Sequence, residues 1–259
     1  MTETTLSPVP RTRRFQPGWL YLALFKPRLA FASIAAHKTA LWLAPLLVVT
    51  LATLASVAAA GMLRQAAALM GEVQLPPDFQ YYSPEQQARL MQAIQATSGP
   101  VFIFVFPALI ALIKVWFGWL LVGGLIHLVL TLLGGRGSVG ITMNVLAWAS
   151  LPFALRELVR AAAMVVEQQL IAMPGLSGFT PVGEGNWYVF ISGVLAALDI
   201  YLIWHVWLLI VGESAATGLP GNKVGAGVLL VILVVLSLQA LVGVGSAHFN
   251  NLTIIRPFF

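Results

Sequence analysis

The sequence predicts an all-α polytopic membrane protein, and three observations predict it. Of 259 residues, 59% are hydrophobic and only 9% are charged, against about 25% charged in a soluble domain. The mean hydropathy is +0.89. The charges are unevenly placed, which leaves several apolar runs near the roughly 20 residues that a helix needs to cross a bilayer. The length suits one compact bundle. The chain has no cysteine, which excludes disulfides, thiolate metal sites, iron–sulfur clusters and cysteine nucleophiles.

Residues 1–16 are polar and are expected to form a disordered tail. They do not read as part of a cleavable signal peptide, because Lys26 and Pro27 interrupt the apolar stretch behind them. Residues 17–38 are expected at the inner membrane surface, with Pro27 opening a short interfacial helix to residue 37. Thr39 to Leu63 carries no charge and gives span one. Residues 64–98 are the most polar part, with a Pro76-Pro77 turn. Ser83 then caps an amphipathic helix that has Glu85 in its first turn.

Residues 99–133 give span two, apolar except for Lys114 and His127. A helix of that length would be about 50 Å long, against about 30 Å of hydrocarbon. It must therefore tilt and protrude, or break at Pro107. "GGRGS" at 134–138 reads as a tight turn built on Gly134, Gly135 and Gly137. Residues 139–172 give span three, kinked at Pro152. "MPGLSGFTPVGEGN" is a loop. Residues 187–211 give span four, with Asp199 and His205 inside it, and "GESAATGLPGNK" is the next loop. Residues 224–247 give an uncharged span five, and 248–259 form the C-terminal tail.

Basic residues near the span ends set the orientation. With the N-terminus inside, the inner side holds Arg11, Arg13, Arg14, Lys26, Arg28, Lys38, Arg136 and Lys223, and the outer side holds Arg64, Arg89 and Arg256. The bias favours the N-terminus inside and the C-terminus outside, as five spans require. No basic groove suggests a nucleic-acid partner.

Three stretches carry a family resemblance: "LFKPRLAF" before span one, "LLGGRGSVGITMNVLAWASLPFALRELV" across spans two and three, and "IYLIWHVWLLIVGESAATGLPGNKVGAGVLL" across spans four and five. Together, over roughly residues 24–245, they resemble the Yip1 family in its prokaryotic form. The resemblance implies a five-span protein with a cytosolic N-terminus and no catalytic residue. Eukaryotic relatives are associated with Rab GTPases, which a bacterium lacks, and some bacterial relatives accompany ABC exporters.

The sharpest candidate site is a polar layer of Lys114, Arg156, Glu157, Arg160 and Asp199. Arg156 and Arg160 lie four apart on one helical face, with Glu157 in reach of Arg160. Reflection about the two connections puts Lys114 and Asp199 at the same depth, with Lys114–Glu157 and Arg160–Asp199 as the expected pairs. An unpaired charge in hydrocarbon costs at least about 2.5 kcal/mol. Three readings stand: an ion path, an internal brace that fixes helix register, or helices so long that these groups are wet.

Other motifs reduce to packing. His127 and His205, with Glu213 as a conceivable third, make a poor metal site, and a hydrogen-bonded histidine is the simpler reading. Residues 135–140 match G-x-G-x-x-G, but a membrane helix precedes them where a strand is required. "GLPGNK" falls short of a phosphate loop. "GVGSAH" has a serine with no paired base at a sensible place. Gly123, Gly124, Gly225, Gly227, Gly243 and Gly245 permit close helix approach, and the tryptophans at 19, 42, 187 and 207 suit interface belts. The expectation is a non-enzymatic, multi-pass protein of the inner (plasma) membrane that needs no cofactor or metal. It would act as scaffold or accessory subunit to a membrane protein partner, for instance an ABC exporter. A small channel or transporter using the polar layer is the alternative.

Overall fold

The computed structural model describes residues 18–37, 39–70, 75, 79–183 and 185–253, the last seven as backbone alone. The tail at 1–16, the Pro76-Pro77 turn and the end of the C-terminal tail lie outside these. Among the described residues there is no strand. The helices are α1 (Gly18–Phe25), α2 (Pro27–Ala36), α3 (Leu43–Leu69), α4 (Pro84–Thr97), α5 (Phe106–Leu132), α6 (Val139–Ala149), α7 (Leu151–Glu167), α8 (Asn186–Ala197), α9 (Ile200–Thr217) and α10 (Gly221–Thr253). A π-helical turn at Val101–Val105 leads into α5.

Among the described residues, four helices are long and apolar enough to cross a membrane: Leu43–Leu69, Val101–Leu132, Ile200–Thr217 and Gly221–Ser246. The expected third span is not among them. It is divided into α6 and α7 at Ser150, and α7 carries Arg156, Glu157, Arg160 and Glu167. It also ends five residues earlier than expected, because Gln168 turns left-handed at φ 53°. Pro152 explains the division: it lacks an N–H and sits in the first turn of α7. Pro107, by contrast, does not break α5. The π-helical turn before it absorbs the missing hydrogen bond, with Phe106 N–H reaching back to Val101 O.

The expected fourth span is also divided, at Leu198 and Asp199, and it runs on to Thr217. "GESAAT" is therefore helix and not loop. Gly212 is there for closeness: a Cβ on it would meet Val145 at 2.5 Å and Phe31 at 2.9 Å. The glycines of the 134–138 turn act differently. Gly134 has φ 94°, its N–H bonds Thr131 O at 3.0 Å, and the Gly135 N–H bonds Leu130 O at 2.8 Å. This is a Schellman end to α5. A Cβ on Gly135 would stand 3.2 Å from Thr217, so the turn presses against the end of α9.

α6 is the buried centre, with Thr142 and every residue from Asn144 to Ala149 inside. Around it the core joins Phe31 and Ile34 of α2, Ile126 and Leu130 of α5, Leu208 and Leu209 of α9, and Val224 and Val228 of α10. The segment expected to lie along the membrane surface is thus two helices that pack one face inward. In α2 this face is Pro27, Ala30, Phe31 and Ile34, the spacing of an amphipathic helix. Asn144 ties down the chain between α2 and α3, accepting from Leu41 N–H at 2.8 Å and donating to Thr39 O at 2.9 Å.

Candidate functional site

α6 and the start of α7 run antiparallel to α9 in one register. Thr142 Oγ1 meets Glu213 Oε2 at 3.3 Å, His205 Nδ1 meets Ala149 O at 2.7 Å, and Arg156 meets Asp199. The register survives the kink because the kink is bridged from α9. Phe153 N–H bonds Ser150 O, which leaves Ala149 O free for His205. A carbonyl only accepts, so His205 carries its proton on Nδ1. The His205 ring lies 4.5 Å from that of Phe153, and the Arg156 guanidinium stands 4.7 Å from the centre of the same Phe153 ring.

Four of the five expected polar-layer residues then meet in a closed ring. Arg156 Nε lies 3.1 Å from Glu157 Oε1, and Arg160 Nη1 lies 3.2 Å from the same oxygen. Arg156 Nη1 lies 3.4 Å from Asp199 Oδ2, and Arg160 Nη2 lies 3.8 Å from it. Each carboxylate is shared by both guanidiniums, so the charges alternate and cancel. Their side chains are only 12–25% exposed. Asp199 Oδ1 also caps α9 by accepting from Leu202 N–H at 2.8 Å. The break before it is sealed from outside, where Leu176 N–H bonds Leu195 O at 2.9 Å.

The expected Lys114–Glu157 pair is absent among the described residues, and Lys114 is exposed. Reflection about the turn failed here because of the kink. α5 follows α6 closely, with Trp119 Nε1 donating to Met143 O at 3.1 Å and Gly123 against Met143 and Leu146. After Ser150, α7 leaves α5 and packs along α3, the most extensive helix pair in the bundle. Of the turn residues, Gly134, Gly135 and Gly137 form the α5–α6 connection, with Gly135 and Gly137 against the Ala216-Thr217 end of α9. Pro152 starts α7.

One acidic residue is buried against expectation. Glu213 is 0% exposed, and its Oε1 has no hydrogen-bond partner. It looked like a loop residue because Gly212 and Ser214 flank it. The signal that would have found it is its spacing: Glu213 falls on the same face as Leu202, His205 and Leu209, which also point into the core. No group of three metal-ligating side chains occurs among the described residues. An open apolar groove of about 500 Å³ separates parts of α3 and α7, between Ala58 and Met62 on one side and Ala162 and Val166 on the other. None of the four ring residues lines it.

A family model, the Yip1 domain, matches residues 21–243. No curated protein and no solved structure gives a significant match.

Proposed function

The chain belongs to the Yip1 family, and from that premise we propose that it is a non-enzymatic scaffold or accessory subunit of a larger membrane assembly. The helix lengths carry this reading. From Val101 to Leu132 there are 32 residues, about 48 Å at 1.5 Å each, against a hydrocarbon core of about 30 Å. Large apolar side chains are exposed at both ends of that helix, from Val101 and Phe102 to Leu128 and Leu132. A bilayer alone does not cover so much apolar length without a tilt beyond the usual range. A protein partner would cover the remainder, and an ABC exporter is a suitable host.

In this reading α6 and α7 together make a fifth pass through an inner (plasma) membrane. The basic residues hold the N-terminus inside. The Arg156–Glu157–Arg160–Asp199 ring is a brace, since its charges are spent on one another. The test is purification from native membranes in gentle detergent, followed by mass spectrometry. A stoichiometric partner is expected; a chain that emerges alone would sink the proposal.

A small channel or transporter is the second reading. It is favoured by the two helix breaks, at Ser150 and at Leu198–Asp199, that flank the charged ring; interrupted helices mark substrate sites in many transporters. Neutralising Arg160 and Asp199 together should abolish flux through reconstituted vesicles if this reading holds, with the bundle still assembled.

A further inference from the structure

The face of α5 that carries Lys114 is exposed along its length. Ile110, Ile113, Phe117, Leu121 and Leu128 project from it at helical spacing. Gly124 leaves a notch in the same stripe, with nothing within 4 Å of where its Cβ would stand. Lys114 is the cation of this face and has no ion pair among the described residues. It stands eighteen residues before Leu132 and thirteen after Val101, about 27 Å and about 20 Å along the axis.

A hydrocarbon core of about 30 Å fits this helix in two ways, and each leaves the same face incomplete. If lipid covers the half that begins at Val101, the Lys114 ammonium lies within hydrocarbon, where a lysine needs a counter-charge. If lipid covers the other half and ends near Lys114, then Phe102, Phe106, Leu109, Ile110 and Ile113 stand in water, all 47% exposed or more. That is a contiguous apolar patch of the kind that marks an interaction site. Among the described residues no carboxylate of the bundle supplies the counter-charge. Glu157 and Asp199 are each held between two guanidiniums, and Glu213 is buried in the core. A second copy packed on this face would bring the same cation and no carboxylate.

We propose that this α5 face docks a transmembrane helix of a partner protein, one that carries a carboxylate level with Lys114 and seats against the Gly124 notch. The ion pair would set the register of the contact, and the small residue would allow close approach. The proposal rests on the scaffold reading above and names its contact surface.

The test places a photo-crosslinking phenylalanine analogue at Phe117, at Leu121 and, as a control on α10, at Val234, in the full chain in its native membrane. Adducts from the first two positions should join one membrane protein, through a segment that contains Asp or Glu. Their yield should fall at least tenfold in Lys114→Gln and persist in Lys114→Arg. Neutralising the partner's carboxylate should lower it equally. Lys114 is exposed, so an unchanged thermal midpoint in Lys114→Gln separates lost docking from lost folding. Adducts only with a second copy, adducts only with lipid, or a yield indifferent to Lys114→Gln would each overturn the proposal. A partner that co-purifies but crosslinks only from Val234 overturns this surface and leaves the scaffold reading standing. A chain with no partner in the detergent purification overturns both.

Discussion

Arg156 reaches across from α7 to Asp199, Nη1 to Oδ2 at 3.4 Å, joining the break between α8 and α9 to the helix that starts after the Ser150 break. The contact joins two half-helices that backbone hydrogen bonding alone does not hold in line. Arg160 and Glu157 complete the ring, so no member can be removed without leaving a partly buried charge short of its partner.

That arrangement predicts strong non-additivity. Asp199→Asn keeps the helix cap, since Asn caps as well as Asp, but it leaves two guanidiniums facing one carboxylate. Loss of one partner from a buried ion pair costs about 3–5 kcal/mol, and the residual exposure here brings the expected cost down to about 2 kcal/mol. Combining Arg156→Met, Glu157→Gln, Arg160→Met and Asp199→Asn removes all four charges together, and this quadruple variant should recover most of the loss. Thermal unfolding in detergent checks this; a quadruple variant no more stable than the single one would refute the brace.

Glu213 and Thr142 form a second coupled pair. Thr142→Val strips Glu213 of its hydrogen bond, and a buried group left unsatisfied costs about 1–3 kcal/mol. Glu213→Met with Thr142→Val removes both polar partners, and with them the unpaired Oε1. The double variant should match or exceed the parent in unfolding midpoint. A double variant weaker than Thr142→Val alone would show that Glu213 has a partner beyond Thr142.

Gly212 is the point where α2 presses on α9. Gly212→Ala would drive a methyl into Phe31 and Val145, and overpacking of this kind costs about 1–3 kcal/mol. The loss should appear as looser docking of α2. Limited proteolysis after Arg28 should quicken in the variant, while Gly140→Ala, where a Cβ meets nothing within 4 Å, should leave it unchanged.

The absence of cysteine makes membrane topology directly measurable. With five passes and the N-terminus inside, Ala88→Cys and Met173→Cys should react with an impermeant maleimide added to intact cells. Ser138→Cys should react only after permeabilisation. If Met173→Cys behaves like Ser138→Cys, then α6 and α7 enter and leave on the same side, and the count of crossings is four.

Much of this protein is legible in the sequence alone. Apolar composition and run length determine that it is helical and built for a membrane. Gly134 fixes the turn after α5, because a left-handed residue there needs no Cβ. Pro152 fixes the interruption in the third segment, because it has no N–H to give. The three quoted stretches carry the family. These are local properties, each set by a residue and its near neighbours. Tertiary structure alone decided the rest. It chose Arg156 to lead the contact with Asp199, left Lys114 outside the ring, broke the chain at Leu198, and drew Glu213 into the core. Each of those outcomes depends on the direction a helix takes after its kink and on the depth to which two helices interlock. That direction comes from distant packing, Gly123 against Met143 and Gly212 against Phe31, which sequence periodicity along a single helix does not encode.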